Sequence, residues 1–397
     1  MALFSSANFG VNLVNAFSNA ALPLFLGTYG LPNVLIGFLA QERSFVGGFV
    51  QPVIGVISDH TKSRLGRRRP FFLIGVTLTS ISLLVLSTHP PVWAVIGLLT
   101  VLSFFLAVAN DPYLALMADI TPERQRGRMG SVMAVFNMSG QVAMLGVASM
   151  FWESHEPWVF LFISGGLVLS FLVTFLTVRE PPTETSTVPL QRVSPRQYVK
   201  NVLQHREVAK YAGTQFFFWL GNGAAAPFLT RFGVDVLGVE EGVAFQLVMI
   251  AVLSTAFAAL PVGFLADRWG KKQTLSRGLL LFTIVALIGS QAQTVPQAMV
   301  MMACLGLANA VTISLAFPLL ADLMPADRKG EFMGLGSLVW SLAQPLGSTW
   351  AGFMVDFSGS FRTVFVVAAI LIGVSFLGLQ TVHPERAHSD ITPRVDS

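Results

Sequence analysis

Charge is what this sequence has least of. Of its 397 residues only 12% are Asp, Glu, Lys or Arg, against roughly 25% in a soluble domain. A chain of this length with so little charge does not read as a soluble enzyme or a soluble binding module. Cysteine is nearly missing. Cys304 stands alone in an apolar run, so no intrachain disulfide is possible. There is no GxxxxGK[ST], no GxSxG and no Cys or His cluster at ligand spacing. Nucleotide, acyl-transfer and metal chemistry therefore have no visible seat, and neither an enzyme nor a cofactor is expected. No cleavable signal is evident: the first apolar segment begins almost at once and carries asparagines that a signal core would lack.

What remains is apolar. Hydrophobic residues make up 53%, mean hydropathy is +0.66, and Phe occurs 33 times. The apolar runs reach about 20 residues, the length that crosses a bilayer. Twelve spans are predicted, at roughly 8–29, 33–57, 70–88, 92–117, 129–151, 158–178, 211–234, 242–265, 274–292, 296–320, 332–355 and 361–381. The fold class is an all-α membrane protein. Its organisation is a six-helix bundle at 1–178, a cytoplasmic linker at 179–210, a second six-helix bundle at 211–381 and a tail at 382–397. Of the 25 Lys and Arg residues, 22 lie in the even-numbered connections, the linker, the tail or at their helix edges; Arg43, Arg231 and Arg362 do not. Positive charge stays on the cytoplasmic side, so both termini should lie there. The opposite connections are tiny, for example Ser87–Pro91, and one of them, Trp152–Trp158, is acidic. The net charge of +4 is placed for anionic headgroups on the cytoplasmic face, not for nucleic acid.

The densest positive charge is Gly55–Arg69, GVISDHTKSRLGRRR, with five Lys and Arg between Lys62 and Arg69. Asp59 at a helix end can accept hydrogen bonds from backbone or Arg donors, and Gly55 permits a close helix approach. A weaker copy, GFLADRWGKK, begins at Gly263. Asp59 and Asp267 are 208 residues apart, Asp119 and Asp322 are 203 apart, and Asn110 and Asn309 are 199 apart. Three ordered matches at a nearly constant offset make the chain a parallel repeat. Gly55, Asp59, Arg67 and Arg68, with Asp267 and Arg268 in the second copy, are the expected gating latch.

Two polar patterns lie at membrane depth. Asn8, Asn12, Asn15 and Asn19 are spaced 4, 3 and 4, which puts them within about 60° on one helix face. Gln215, Trp219 and Asn222 repeat the spacing on helix 7; Asn137 with Gln141, and Trp340 with Gln344, do so on helices 5 and 11. Amides that donate and accept, beside flat aromatic faces, suit a neutral polyhydroxylated ligand. These residues from Asn12 onward are the candidate substrate site; interhelical hydrogen bonds are the competing explanation. Asp111, Glu42 and Arg43 are ionisable groups inside spans, where a charge costs at least about 2.5–3.5 kcal/mol. Asp111 or Glu42 is the candidate proton carrier, with a static pairing to Arg43 as the alternative.

The stretch Val50-Gln51-Pro52 through Gly55, Ser58-Asp59 and Ser63–Phe71, with Tyr29-Gly30-Leu31-Pro32, resembles the sucrose/proton symporters within the major facilitator superfamily. The segment Pro112–Leu116 is similar to the related glycoside–pentoside–hexuronide cation symporters. The resemblance implies the major facilitator fold of two pseudo-symmetric halves, a substrate site between them near the midplane, alternating access and a monomer. It also implies a sugar-like substrate, a glucoside or disaccharide, moved with a proton. Three positions depart from these patterns. Leu114 stands where the sucrose symporters carry an arginine, and Gly47 and Gln51 stand where the cation symporters carry sodium-binding aspartates. Protons therefore fit better than sodium. The short loops suit a bacterial inner membrane. An exporter or facilitator of another small molecule, or a non-transporting membrane factor on the same fold, are the alternatives.

Overall fold

In the computed structural model the described residues are 1–61, 63, 66–178, 205–324 and 329–384. Residues 179–204 of the expected linker and 385–397 of the expected tail lie outside them, as do Lys62, Arg64, Leu65 and residues 325–328. Among the described residues there is no strand; everything regular is helical.

Among the described residues, twelve helical spans follow the apolar runs. They are α1 (Ala2–Gly27), α2 (Asn33–His60), α3 (Arg69–Leu86), α4 (Val92–Ile120), α5 and α6 (together Arg126–Thr177), α7 (206–237), α8 (Glu241–Trp269), α9 (Lys271–Gly289), α10 (Val295–Asp322), α11 (Lys329–Ser358) and α12 (Arg362–Gln380). Proline and glycine punctuate them. Pro32 and Pro91 sit at the N-caps of α2 and α4, where a missing N–H costs nothing. Gly238 ends α7 in the left-handed region at φ 65°, which a Cβ would disfavour. Thr294 and Gln297 form a reciprocal capping box at the start of α10.

The sequence suggests a loop at Trp152–Trp158. The chain instead stays helical through it, with one non-helical residue, His155 (φ −149°, ψ 57°), two before Pro157. The proline removes a donor and turns the chain without unwinding it. The first helix of each half is broken at matching places. α1 passes through a π-turn at Phe17–Ala21 before Pro23, and α7 through a 3-10 turn at Ala226–Phe228 around Pro227. Freed backbone groups at membrane depth are tolerated where helices surround them or where they line a cavity.

The halves pack alike. α1 lies against α5 and α6, α2 against α4, and α3 against α4; α7 lies against α11 and α12, α8 against α10, and α9 against α10. Across the halves α2 meets α11 and α8 meets α5. The first half is pinned by aromatics: Phe4 stacks on Tyr113 at 4.6 Å, and the Tyr113 hydroxyl donates to Phe4 O at 3.1 Å. The second half has its own buried tyrosine, Tyr211, whose hydroxyl donates to Ala316 O at 2.8 Å.

Candidate functional site

The helix ends sort into two sides. The basic loops gather on one; the other, called outer here, carries the ends of α1, α3, α5, α7, α9 and α11. The amide stripe of α1 runs between them. Asn12 Nδ2 donates to Asn8 O (2.9 Å), Asn15 Nδ2 to Asn12 Oδ1 (3.0 Å), and Asn19 Nδ2 to Asn15 O (3.0 Å). Asn12, Asn15 and Asn19 thus donate along their own helix, whereas Asn8 Nδ2 donates to Met133 O of α5 at 3.4 Å. Gln41 of α2 then donates to Asn19 Oδ1 at 2.6 Å. Asn15 Oδ1 is a buried acceptor without a donor among the described residues.

The second half handles its amides in a similar way. Gln215 is buried; its Nε2 donates to the Tyr211 hydroxyl at 2.8 Å, and its Oε1 receives no donor among the described residues. Asn222 Nδ2 reaches Asn309 Oδ1 of α10 at 3.4 Å. Trp219 and Trp340 meet edge to face at 6.3 Å, a favourable aromatic geometry. On α5, Gln141 Nε2 donates to Asn137 Oδ1 at 2.8 Å. The halves touch at this depth through Ser44 of α2, whose hydroxyl donates to Gln344 Oε1 of α11 at 3.2 Å. Gln41 and Ser44 are missing from the sequence-derived set, although an amide and a hydroxyl flanking Glu42 and Arg43 inside a span were there to be read.

The ionisable group lies between α2 and α4. Glu42 is buried and faces Thr100 of α4; Asp111 sits beside Asn110, within electrostatic reach of Arg43. Glu42 Oε2, Arg43 Nε and Asp111 Oδ2 are buried and lack a hydrogen-bond partner among the described residues. The charges thus approach without closing an ion pair. That is a costly arrangement for a purely structural element. Leu114, the departure from the sucrose-symporter pattern, lies one turn beyond on α4 and is partly exposed.

At the basic side the latch residues form a network inside the first half. Arg68 Nη2 pairs with Asp59 Oδ1 (3.0 Å) and Asp119 Oδ2 (3.2 Å), and Arg67 Nη2 pairs with Asp119 Oδ2 (2.8 Å). It ties the end of α2, the start of α3 and the end of α4. In the second half the equivalent pair is Lys271 with Asp322 at 2.7 Å. Asp267 and Arg268 are exposed at the end of α8 and make no ion pair among the described residues. Among the described residues, no other element comes within 4 Å of where a Cβ would stand at Gly55. Near this side, Glu207 is buried and accepts from Lys210 Nζ (2.7 Å) and His383 N–H (2.6 Å). Burial raises its carboxyl, but these hydrogen bonds and the Lys210 charge outweigh that and hold it below the ordinary carboxylate value.

Towards the outer side the halves are stitched together. Thr230 Oγ1 donates to Ala20 O (2.7 Å) and Arg231 Nη1 to Pro23 O (3.4 Å), at the two helix breaks. Arg231 also pairs with Asp235 at 2.6 Å and lies over the Phe361 ring. Among the described residues, the hydrogen bonds that join the halves lie at mid-depth or on the outer side.

Two repeated helical halves meeting around polar side chains at mid-depth are the architecture of multi-pass membrane transporters. The family model described as "MFS/sugar transport protein" matches residues 3–363. The chain belongs to that family. It is 21% identical to Multidrug resistance protein MdtH of Edwardsiella ictaluri, covering 89% of this chain and 86% of that one. It is 26% identical to Sucrose transport protein SUC3 of Arabidopsis thaliana, covering 43% of this chain and 33% of that one. Among solved structures, a bacterial homologue of the human lysosomal transporter Spinster, in an inward-facing and occupied conformation, superposes with a TM-score of 0.78 at 14% identity, covering 99% of this chain and 97% of that one.

Proposed function

We propose that this chain is a proton-coupled symporter of a neutral sugar, a glucoside or disaccharide, working by alternating access in a bacterial inner membrane with both termini cytoplasmic. The observation that carries the reading is the set of buried amide oxygens without donors. Asn15 Oδ1 and Gln215 Oε1, one in each half, are free acceptors on amides whose nitrogens already donate, to Asn12 and to Tyr211. A polyhydroxylated ligand supplies hydroxyl donors to both, and the Trp219–Trp340 pair offers the apolar faces a sugar ring needs. Asn137, Gln141, Asn222 and Gln344 complete the polar lining. The sucrose transport relative fits this substrate class.

Asp111 is the proposed proton carrier. When neutral it removes the cost of a buried charge; when ionised it faces Arg43. Arg43 in this reading answers the carboxylate from α2, where the resembling family uses an arginine on α4 at the place of Leu114. Glu42, against Thr100, is the second carboxylate in reach. The chain would act as a monomer.

The test is counterflow in proteoliposomes preloaded with unlabelled disaccharide. Transient accumulation of labelled sugar, abolished by Asn15→Leu or Gln215→Leu, supports the reading; its absence for every sugar in folded protein contradicts it. A second reading, export of a lipophilic compound, is favoured by the multidrug resistance relative. It expects dye efflux that survives both amide substitutions.

A further inference from the structure

Beside the α1–α7 contacts, the outer side holds two seams built on the same plan. α2 begins at Asn33 behind Pro32, and α8 begins at Glu241 behind Glu240; neither helix has a side-chain cap of its own. The first N–H groups of a helix lack intrahelical acceptors and form the positive end of its dipole. In both seams a carboxylate from the opposite half accepts them. Asp356 of α11 takes Asn33 N–H on Oδ1 (3.0 Å) and Val34 N–H on Oδ2 (2.9 Å), and Asn33 Nδ2 also donates to Oδ1 (2.8 Å). Glu153 of α5 takes Glu241 N–H on Oε1 at 2.6 Å.

The two seams are related by the internal repeat. Asn33 and Glu241 are 208 residues apart, the offset of Asp59 and Asp267; Glu153 and Asp356 are 203 apart, the offset of Asp119 and Asp322. One turn before each carboxylate the backbones close up. Gly352 of α11 sits against Asn33 O, and Gly242 of α8 sits against Ser149 O of α5, contacts that leave no room for a Cβ. Both carboxylates are exposed, so water is at hand to replace them when the seam parts.

We propose that Asp356 and Glu153 are the outer gate of the transport cycle. Each holds the outer side closed by capping a helix of the opposite half, and opening requires both to release. The caps are charge-assisted and lie across the moving interface, so their strength is present in the outer-closed state and lost in the outer-open one. This holds whatever the substrate.

The test is a pair of spin labels at Trp93→Cys and Gln293→Cys, on outer ends of opposite halves, in a Cys304→Ser background in liposomes. Pulsed dipolar spectroscopy reads the ratio of long (open) to short (closed) distances. Asp356→Asn and Glu153→Gln keep the side-chain size and remove the charge. Each is expected to raise that ratio about three- to ten-fold, and the two together to multiply. Pro32→Asp supplies α2 with a cap of its own in both states and leaves Asp356 in place. A gate requires this variant to shift the ratio towards open as well, whereas a merely structural cap would leave it closed. Distances that stay unchanged in all the variants, or broaden without a second population, overturn the proposal.

Discussion

Removing one oxygen atom from Tyr211 should report on both the packing of the second half and the substrate site. The hydroxyl is fully buried, donates to Ala316 O of α10 at 2.8 Å and accepts Gln215 Nε2 at 2.8 Å. In Tyr211→Phe the Ala316 carbonyl keeps its helical surroundings, so its loss is one net hydrogen bond, about 1 kcal/mol. Gln215 Nε2 is left as a buried donor with no acceptor, which costs about 1–3 kcal/mol. The bond to Ala316 is interhelical, and such bonds in membranes average nearer 0.6 kcal/mol, so the total should fall at about 1.5–3.5 kcal/mol. Denaturant unfolding in mixed micelles measures it. The orphaned amide also gains freedom to turn its donor towards the ligand, so sugar KM should change while the Gln215→Leu variant loses binding outright. In the Gln215→Leu background Tyr211→Phe should cost about 1 kcal/mol less than in wild type. A loss below about 0.5 kcal/mol, or equal losses in both backgrounds, would refute the reasoning.

Other outcomes follow from the same geometry. Arg68→Met removes the hub of a network around a buried guanidinium and should lower the melting temperature more than Arg67→Met, which leaves Asp119 paired to Arg68. Lys271→Met breaks an exposed pair and should cost only about 0–1 kcal/mol; a larger loss than for Arg68→Met in the same thermal melts would contradict this. Glu207 is held below its ordinary value, so its contribution is present above the unfolded carboxylate range and is lost as pH falls through the lowered folded value. Wild type should therefore lose stability on acidification more steeply than Glu207→Gln, read by melting from neutral pH downward.

The spans were legible because lipid leaves no alternative to roughly twenty apolar residues in a helix, and the repeat was legible because three motifs recur in order at nearly constant offsets. The join of α5 to α6 was not. Pro157 signals a stop, and nothing local says that a single non-helical residue will absorb the turn. In the first half the loop motif pointed to residues that do pair, Arg67 and Arg68 with Asp59 and Asp119. In the second half alignment from Asp59 pointed to Asp267 and Arg268, whereas the residue whose reach meets Asp322 is Lys271. The amides of α1 and α7 were visible as spacing. Which of their atoms are already used was not, because that depends on Gln41 and Tyr211 and on side-chain direction. The outer carboxylates carry no motif at all. Glu153 sat in what read as an acidic loop and Asp356 at a helix end; only the pairing of distant helices shows what each one caps.

Internal pH of proteoliposomes, followed while disaccharides are added outside, tests the central claim most directly. Sugar-dependent acidification in wild type, lost in Asp111→Asn protein that is folded and still binds sugar, is the expected result. A folded wild-type protein that moves sugar with no change in internal pH, or that responds to no sugar at all, would contradict it.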